Sequence, residues 1–230
     1  MIKVVVIHGQ SHKGSTYHIA HNLALKISED ITEFFLPNDF GEFCLGCNSC
    51  FYYSEERCPH HKKLSPITKA LDEADVIILA SPVYVMHASG PMKAFLDHYG
   101  YRWMIHRPSE HMFKKQGVCI STAAGSGTKS TNKDMADSLF FWGVAKTYKF
   151  GVNVAAVNWQ SVNEKKKNAI DKSIDQLAKK IIRNNGKVKP NLKTRSTFSF
   201  IRLIQKKGIL PTDALYWKEK GWLNKDRPWK

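Results

Sequence analysis

The sequence predicts a doubly wound α/β fold, a five-stranded parallel sheet with helices on both faces. Two observations carry that expectation. Ile2–Ile7, interrupted only by Lys3, and Val76–Ala80 are aliphatic runs, the pattern of strands buried on both faces of a parallel sheet. Strand-like and helix-like segments then alternate for most of the chain, the signature of successive βαβ units.

Each element follows in order. The first strand stops at Gly9, and Ile19, Leu23 and Ile27 recur every four residues in the helix behind it. Ile31–Leu36 reads as a second strand, ended by Pro37-Asn38-Asp39. A cysteine-rich stretch without clear period comes next. Ser65-Pro66 is expected to open a helix as cap and first-turn proline, with Ile67, Ala70, Leu71 and Ala74 on one face. The central strand Val76–Ala80 runs into a loop, Ser81-Pro82-Val83-Tyr84, and Gly90-Pro91 opens a further helix. Gly117–Thr122 is the fourth strand, followed by Ala123-Ala124-Gly125-Ser126-Gly127 and a helix to about Trp142. Tyr148–Val154 is the fifth strand, and Asn163 caps a long helix carrying Ile170, Ile174, Leu177 and Ile181.

These elements fill residues 1–185, read as one domain. Residues 186–230 depart from the pattern as a basic, aromatic arm containing Trp217, Trp222 and Trp229. Phe198, Phe200, Ile201, Leu203 and Ile204 there suit one side of a short amphipathic helix. The arm is expected to pack on its own domain or on a dimer partner.

The 230 residues carry a net charge of +15, and its distribution is uneven. Residues 1–163 hold 16 Lys/Arg against 14 Asp/Glu, and residues 164–230 hold 19 against 6. The basic excess therefore belongs to the C-terminal region, as a solvated face and polar tail or as a contact with an acidic partner protein or, peripherally, an anionic membrane. Nucleic acid is not the expected partner. No apolar run is long enough for a transmembrane helix, and the N-terminus lacks the features of a signal peptide. The expected location is the cytoplasm.

In open α/β sheets ligands bind beyond the carboxyl ends of the strands. Gly9-Gln10-Ser11-His12-Lys13-Gly14-Ser15-Thr16 lies at such an end. Its glycines allow a tight turn, its hydroxyls are donors, and the following helix N-terminus attracts anions. The spacing approaches the nucleotide-binding P-loop, but Ser15 stands where that loop needs its lysine. The segment reads as a cradle for one phosphomonoester.

With Ser81-Pro82-Val83-Tyr84 and Gly90-Pro91-Met92-Lys93, this loop resembles the NAD(P)H-dependent FMN reductase family, including its iron–sulfur flavoprotein-like members. It departs at Gln10-Ser11-His12, where the family usually reads Ser-Pro-Arg. The resemblance covers about residues 1–185. It implies a flavodoxin-like oxidoreductase with FMN on three loops and NAD(P)H as hydride donor. Gln10, Ser11, Lys13, Gly14, Ser15 and Thr16 would hold the phosphate. Pro82, Val83, Tyr84 and Val85 would flank the ring, and Thr122, Ala123, Ala124 and Gly125 its pyrimidine edge. It further implies a homodimer or tetramer, and a quinone, flavin, nitroaromatic or protein partner as electron acceptor.

Cys44-x2-Cys47-x2-Cys50 lets three thiolates wrap one compact centre, with Cys58 as a fourth ligand. A [4Fe-4S] cluster, zinc with His60 or His61 as substitute ligand, and a metal-free loop all fit that spacing. Cys119 reads as core. His8 and His12 border the phosphate loop, and His87 and His106 read as surface or packing residues. No catalytic side chain is singled out, because hydride transfer needs ring alignment more than a protein acid or base.

Overall fold

In the computed structural model, which describes residues 1–156 and 158–230, the strands alternate with helices as expected. The order begins β1 (Val4–His8), α1 (Ser15–Ile27), β2 (Ile31–Phe35) and α2 (Ser49–Tyr52). It continues through α3 (His61–Glu73), β3 (Val76–Tyr84), β4 (His87–Ala88) and α4 (Gly90–Asp97). β5 (Gln116–Ala123), α5 (Thr128–Phe141), β6 (Lys146–Asn153) and α6 (Glu164–Asn184) complete the α/β portion. Two helices follow, α7 (Leu192–Gln205) and α8 (Pro211–Glu219).

Five strands run parallel in the order β2-β1-β3-β5-β6, and the two-residue β4 pairs antiparallel with the end of β3. Strand order reverses beside β1, so crossovers on its two sides lead to opposite faces, leaving a crevice at the carboxyl ends. Alternation along each strand builds both cores. Val5, Ile7, Ile77, Leu79 and Cys119 point to one face, where Ile67, Leu71, Phe95, Met135 and Leu139 cover them. Val4, Val6, Val76, Ile78, Val118 and Ile120 point to the other, under Ile19, Leu23, Ile170 and Ile174. Asn163 caps α6 as expected, its side chain accepting from the Lys165 N–H.

Two local expectations are corrected. The helix expected to open at Ser65-Pro66 begins at His61, and Pro66 lies inside it. Proline cannot donate to the carbonyl four residues back, that of Lys62. The Ser65 hydroxyl donates to that carbonyl instead, at 3.2 Å. Likewise Ser81–Tyr84 is not a loop but the last stretch of β3. β1 ends at His8, opposite Ala80, so Pro82 has a neighbour only in β5, where it faces Thr122. A proline is tolerated where the sheet has become an edge.

Residues 192–219 fold back onto the α/β portion. Phe198, Ile201, Trp217 and Trp222 are buried in one cluster with Met104 and Phe113. Phe198 stacks on Trp217 at 4.6 Å between ring centres. Asp213 is fully buried, accepting from His106 Nδ1 at 2.7 Å and from Arg107 Nη1 at 2.5 Å. A buried carboxylate is stable only when paired in this way.

Candidate functional site

Three segments meet at the carboxyl ends of β1, β3 and β5. The Gly9 N–H donates to the Ala80 carbonyl at 2.7 Å, and the Ser89 hydroxyl donates to the Gly9 carbonyl at 2.5 Å. Ser89 is tied in turn to Ser81, whose hydroxyl accepts the Ser89 N–H at 2.9 Å. A Cβ at Gly9 would lie 2.8 Å from Ser89 Oγ, so only glycine permits this junction. Thr16 and Thr122 share a buried hydrogen bond of 2.6 Å, which joins the first segment to the third. The Tyr84 hydroxyl donates to Gln10 Oε1 at 3.3 Å, which joins the first to the second.

The anion-attracting end of this junction is α1. Gly14 sits at its N-cap without a side chain to offer, and its first turn has no acidic residue. The first-turn N–H groups therefore have no side-chain acceptor from the cap, and the helix dipole adds positive potential there. Ser15 and Thr16 are buried beside it, Gln10 is buried, Ser11 and Gly14 are partly buried, and Lys13 is exposed. Gln10 Nε2 donates to the His12 carbonyl at 3.3 Å, and Ser11 Oγ to the Leu36 carbonyl at 3.1 Å. An uncapped helix start among hydroxyls fits a phosphomonoester such as that of FMN.

Pro82, Thr122 and Ala123 are buried, Val83 is half-buried, and Tyr84, Val85, Ala124 and Gly125 are exposed around the same crevice. Val85 and Met86 both take positive φ, 48° and 68°. That region is strained for a β-branched residue, so neighbours must impose it. Ser130 Oγ donates to the Met86 carbonyl, and Asp134 Oδ2 accepts from the Ala88 N–H at 3.1 Å and from His87 Nδ1 at 3.0 Å. A Cβ on Gly127 would come within 2.5 Å of Val83 Cγ1, so the third segment presses directly against the second.

His8 turns away from the crevice into packing. It bonds Glu33 at 2.7 Å and stacks on Phe35, while His21 bonds the other Glu33 oxygen at 3.0 Å. Burial pushes the Glu33 carboxyl up, but its bonds and attraction to His8 and His21 outweigh that and hold it below the usual range. His12 is exposed, and His106 belongs to the Asp213 cluster far along the chain.

The cysteine segment forms a second feature. Cys44, Cys47, Cys50 and Cys58 line one small cavity together with His60 and His98. Burial pushes the Cys50 thiol up to about 11, helped by negative charge on Cys58, Cys44 and Cys47. A metal ion would displace the thiol protons and bind the sulfurs, and four thiols with two imidazoles around one cavity form a donor set that suits a metal centre. Ligand atoms of Cys58, His60 and His98 lie within 4.8 Å of one another. His98 Nδ1 contacts the Ala94 carbonyl at 2.7 Å, which leaves its Nε2 to accept from His60 Nδ1 at 2.9 Å.

His98 was invisible to sequence reasoning, since it stands far beyond Cys58 in the chain, just past α4. His61, weighed as a ligand beside His60, lies outside this cavity. Arg107 was also missed. Its guanidinium donates to the Cys50 and Phe51 carbonyls and to Asp213, so it fastens the cysteine segment to α8. No local motif announces such a residue, because its partners come from distant segments.

Fold and crevice together define a flavodoxin-like nucleotide-binding α/β protein. A family model described as NADPH-dependent FMN reductase matches residues 2–158. The chain belongs to the NADPH-dependent FMN reductase family, and it is an FMN-dependent oxidoreductase with a nicotinamide donor. An iron-sulfur flavoprotein of Archaeoglobus fulgidus is 27% identical over 190 residues, 79% of this chain and 80% of that protein. Among solved structures, the apo NADH:FMN oxidoreductase EmoB matches with a TM-score of 0.55 at 16% identity, covering 85% of this chain and 94% of its own. An FMN-dependent NADH-azoreductase from Bacillus anthracis, solved with FMN, matches at 0.57 and 12% identity, over 78% and 99%. Identities this low speak for the fold alone.

Proposed function

We propose that this reductase holds FMN on the three segments joined through Gly9, Ser89, Thr16 and Thr122, and passes electrons on to a second acceptor. The observation that carries the reading is the uncapped start of α1, where Gly14, Ser15 and Thr16 supply amides and hydroxyls around one anion site. FMN supplies the hydride acceptance and electron transfer when bound. Gln10, Ser11 and Lys13 complete the phosphate cradle. Pro82, Val83, Tyr84 and Val85 form a wall for the ring, held in shape by Asp134 and Ser130. Thr122, Ala123, Ala124 and Gly125 supply backbone groups at its other edge. The acceptor is a quinone, a flavin, a nitroaromatic or a protein partner, and no catalytic side chain is assigned.

Cys44, Cys47, Cys50 and Cys58 are proposed to hold a [4Fe-4S] cluster, which would make the chain an iron–sulfur flavoprotein acting in electron transfer. Support comes from the shared cavity of the four thiols and from the Archaeoglobus relative's name. Such a centre belongs in the reducing cytoplasm. A homodimer or tetramer is proposed, with Tyr84, Val85 and Met86 exposed beside the crevice as subunit contacts. Among the described residues no helix is long and apolar enough to cross a membrane.

The test is a visible spectrum of protein purified without air, with iron and sulfide assayed on the same sample. Flavin bands over a broad background with four irons per chain support both proposals. Flavin bands without iron leave the reductase and remove the cluster.

A further inference from the structure

The C-terminal helix α7 has apolar residues on both of its faces, and only one face is buried. Thr194, Phe198, Ile201 and Gln205 recur at helical spacing on the inner side, packed toward Trp217 and Trp222. Leu192, Phe200 and Leu203 lie on the opposite side by the same 100° per residue, and they are 80%, 64% and 55% exposed. Ile209, in the turn that follows, is 68% exposed. Fold stability does not account for these four side chains, since packing on the domain uses the other face.

Charge surrounds this stripe and has one sign. Residues 187–207 contain seven Lys or Arg and no Asp or Glu. Lys193 rests over the Phe140 ring, and Arg202 donates to the Asn224 carbonyl at 3.0 Å, which fixes cations along the flanks. Lys206 and Lys207 are exposed at the end of the helix, next to Ile209. Bulky apolar side chains rimmed by unopposed cations match an anionic lipid surface, where stems insert and charges meet headgroups. A second copy of this face would bring exposed cations such as Lys206 and Lys207 against cations of the same sign. Nucleic acid would satisfy the cations but place Phe200 and Leu203 against phosphates.

We propose that the outer face of α7, with the turn at Ile209, docks the protein on an anionic membrane surface. The docking is peripheral and reversible. It leaves the inner face packed, so Arg107 and Asp213 continue to fasten the cysteine segment while the protein sits on lipid.

The experiment is co-sedimentation of the full-length, flavin-loaded chain with vesicles of phosphatidylcholine, alone or with one third phosphatidylglycerol. Binding to the mixed vesicles only, falling at least about tenfold from 50 mM to 500 mM salt, is the expected result. Phe200→Ser with Leu203→Ser should lower partitioning about tenfold, through lost insertion. Lys206→Gln with Lys207→Gln should lower it by about 25-fold. Both pairs are exposed, so unchanged flavin content and circular dichroism confirm that the variants fold. Absence of binding to mixed vesicles at 50 mM salt overturns the proposal, as does equal binding to neutral ones. Full binding by the Phe200/Leu203 variant also overturns it, because the apolar stripe would then have no part. So does a dimer in sedimentation velocity that this variant alone turns into monomer, since a second copy would then occupy the face.

Discussion

Ser15 is the residue on which the phosphate site depends most. An aspartate there gains about 0.3–1 kcal/mol from the dipole of α1, but Ser15 is buried, so the carboxylate also loses hydration without an ionic partner. The same charge repels a phosphate. Ser15→Asp is therefore expected to lower the thermal stability of the FMN-free chain by about 1–3 kcal/mol, with the fold retained by circular dichroism. It should also weaken FMN binding at least about 100-fold, read by fluorescence titration. Glu33 gives a second prediction at this scale. Its carboxyl is held below the usual range in the fold, so its contribution is present above the unfolded value and disappears as pH falls through the folded one. Glu33→Gln should be less stable than wild type near neutral pH, with the gap closing below about pH 4.5 in thermal melts. A gap that stays constant with pH would remove the ionic role of the His8–Glu33–His21 contact.

At the scale of elements, the turn between β3 and β4 carries the clearest strain. Val85 is almost fully exposed at a φ of 48°, so its side chain gains no burial for the backbone cost. Val85→Asn, which tolerates that region, should raise unfolding stability by about 1 kcal/mol in denaturant titration. The strands themselves were legible because their burial on both faces leaves almost uninterrupted aliphatic runs. The helices were legible because their apolar residues recur every three to four. Pro66 misled because a proline normally marks a first turn, and the compensating Ser65 hydroxyl cannot be recognised without the backbone it serves. Ser81–Tyr84 misled for a related reason: whether a strand tolerates proline depends on how far its neighbour extends, here to His8. The cysteine spacing was plain in sequence, but His98 and Arg107 reach it only through the packing of α4 and α8.

For the whole molecule, the question is how far the C-terminal helices are part of the α/β unit. Their cluster takes Met104 and Phe113 from the segment between α4 and β5, and Asp213 is paired through His106 and Arg107. Trp217→Ala should therefore cost about 3–5 kcal/mol, and the sheet and arm should still melt in one transition by circular dichroism and calorimetry. Two separate transitions would mean that the arm is an independent appendage. The net charge of +15 is likewise a property of this arm more than of the sheet, and it bears on where the protein sits more than on what it catalyses.

The functional reading of the whole chain depends on a crevice, at the carboxyl ends of β1, β3 and β5, that binds FMN reducible by NAD(P)H. An anaerobic titration of flavin-free protein with FMN, followed by addition of NADH or NADPH while the flavin absorbance band is recorded, tests both halves of that statement. Wild type is expected to take up one FMN per chain and to be bleached by at least one nicotinamide, and Ser15→Asp is expected to lose binding. Wild-type protein that takes up no FMN, or a Ser15→Asp variant that binds it as tightly as wild type, would contradict it.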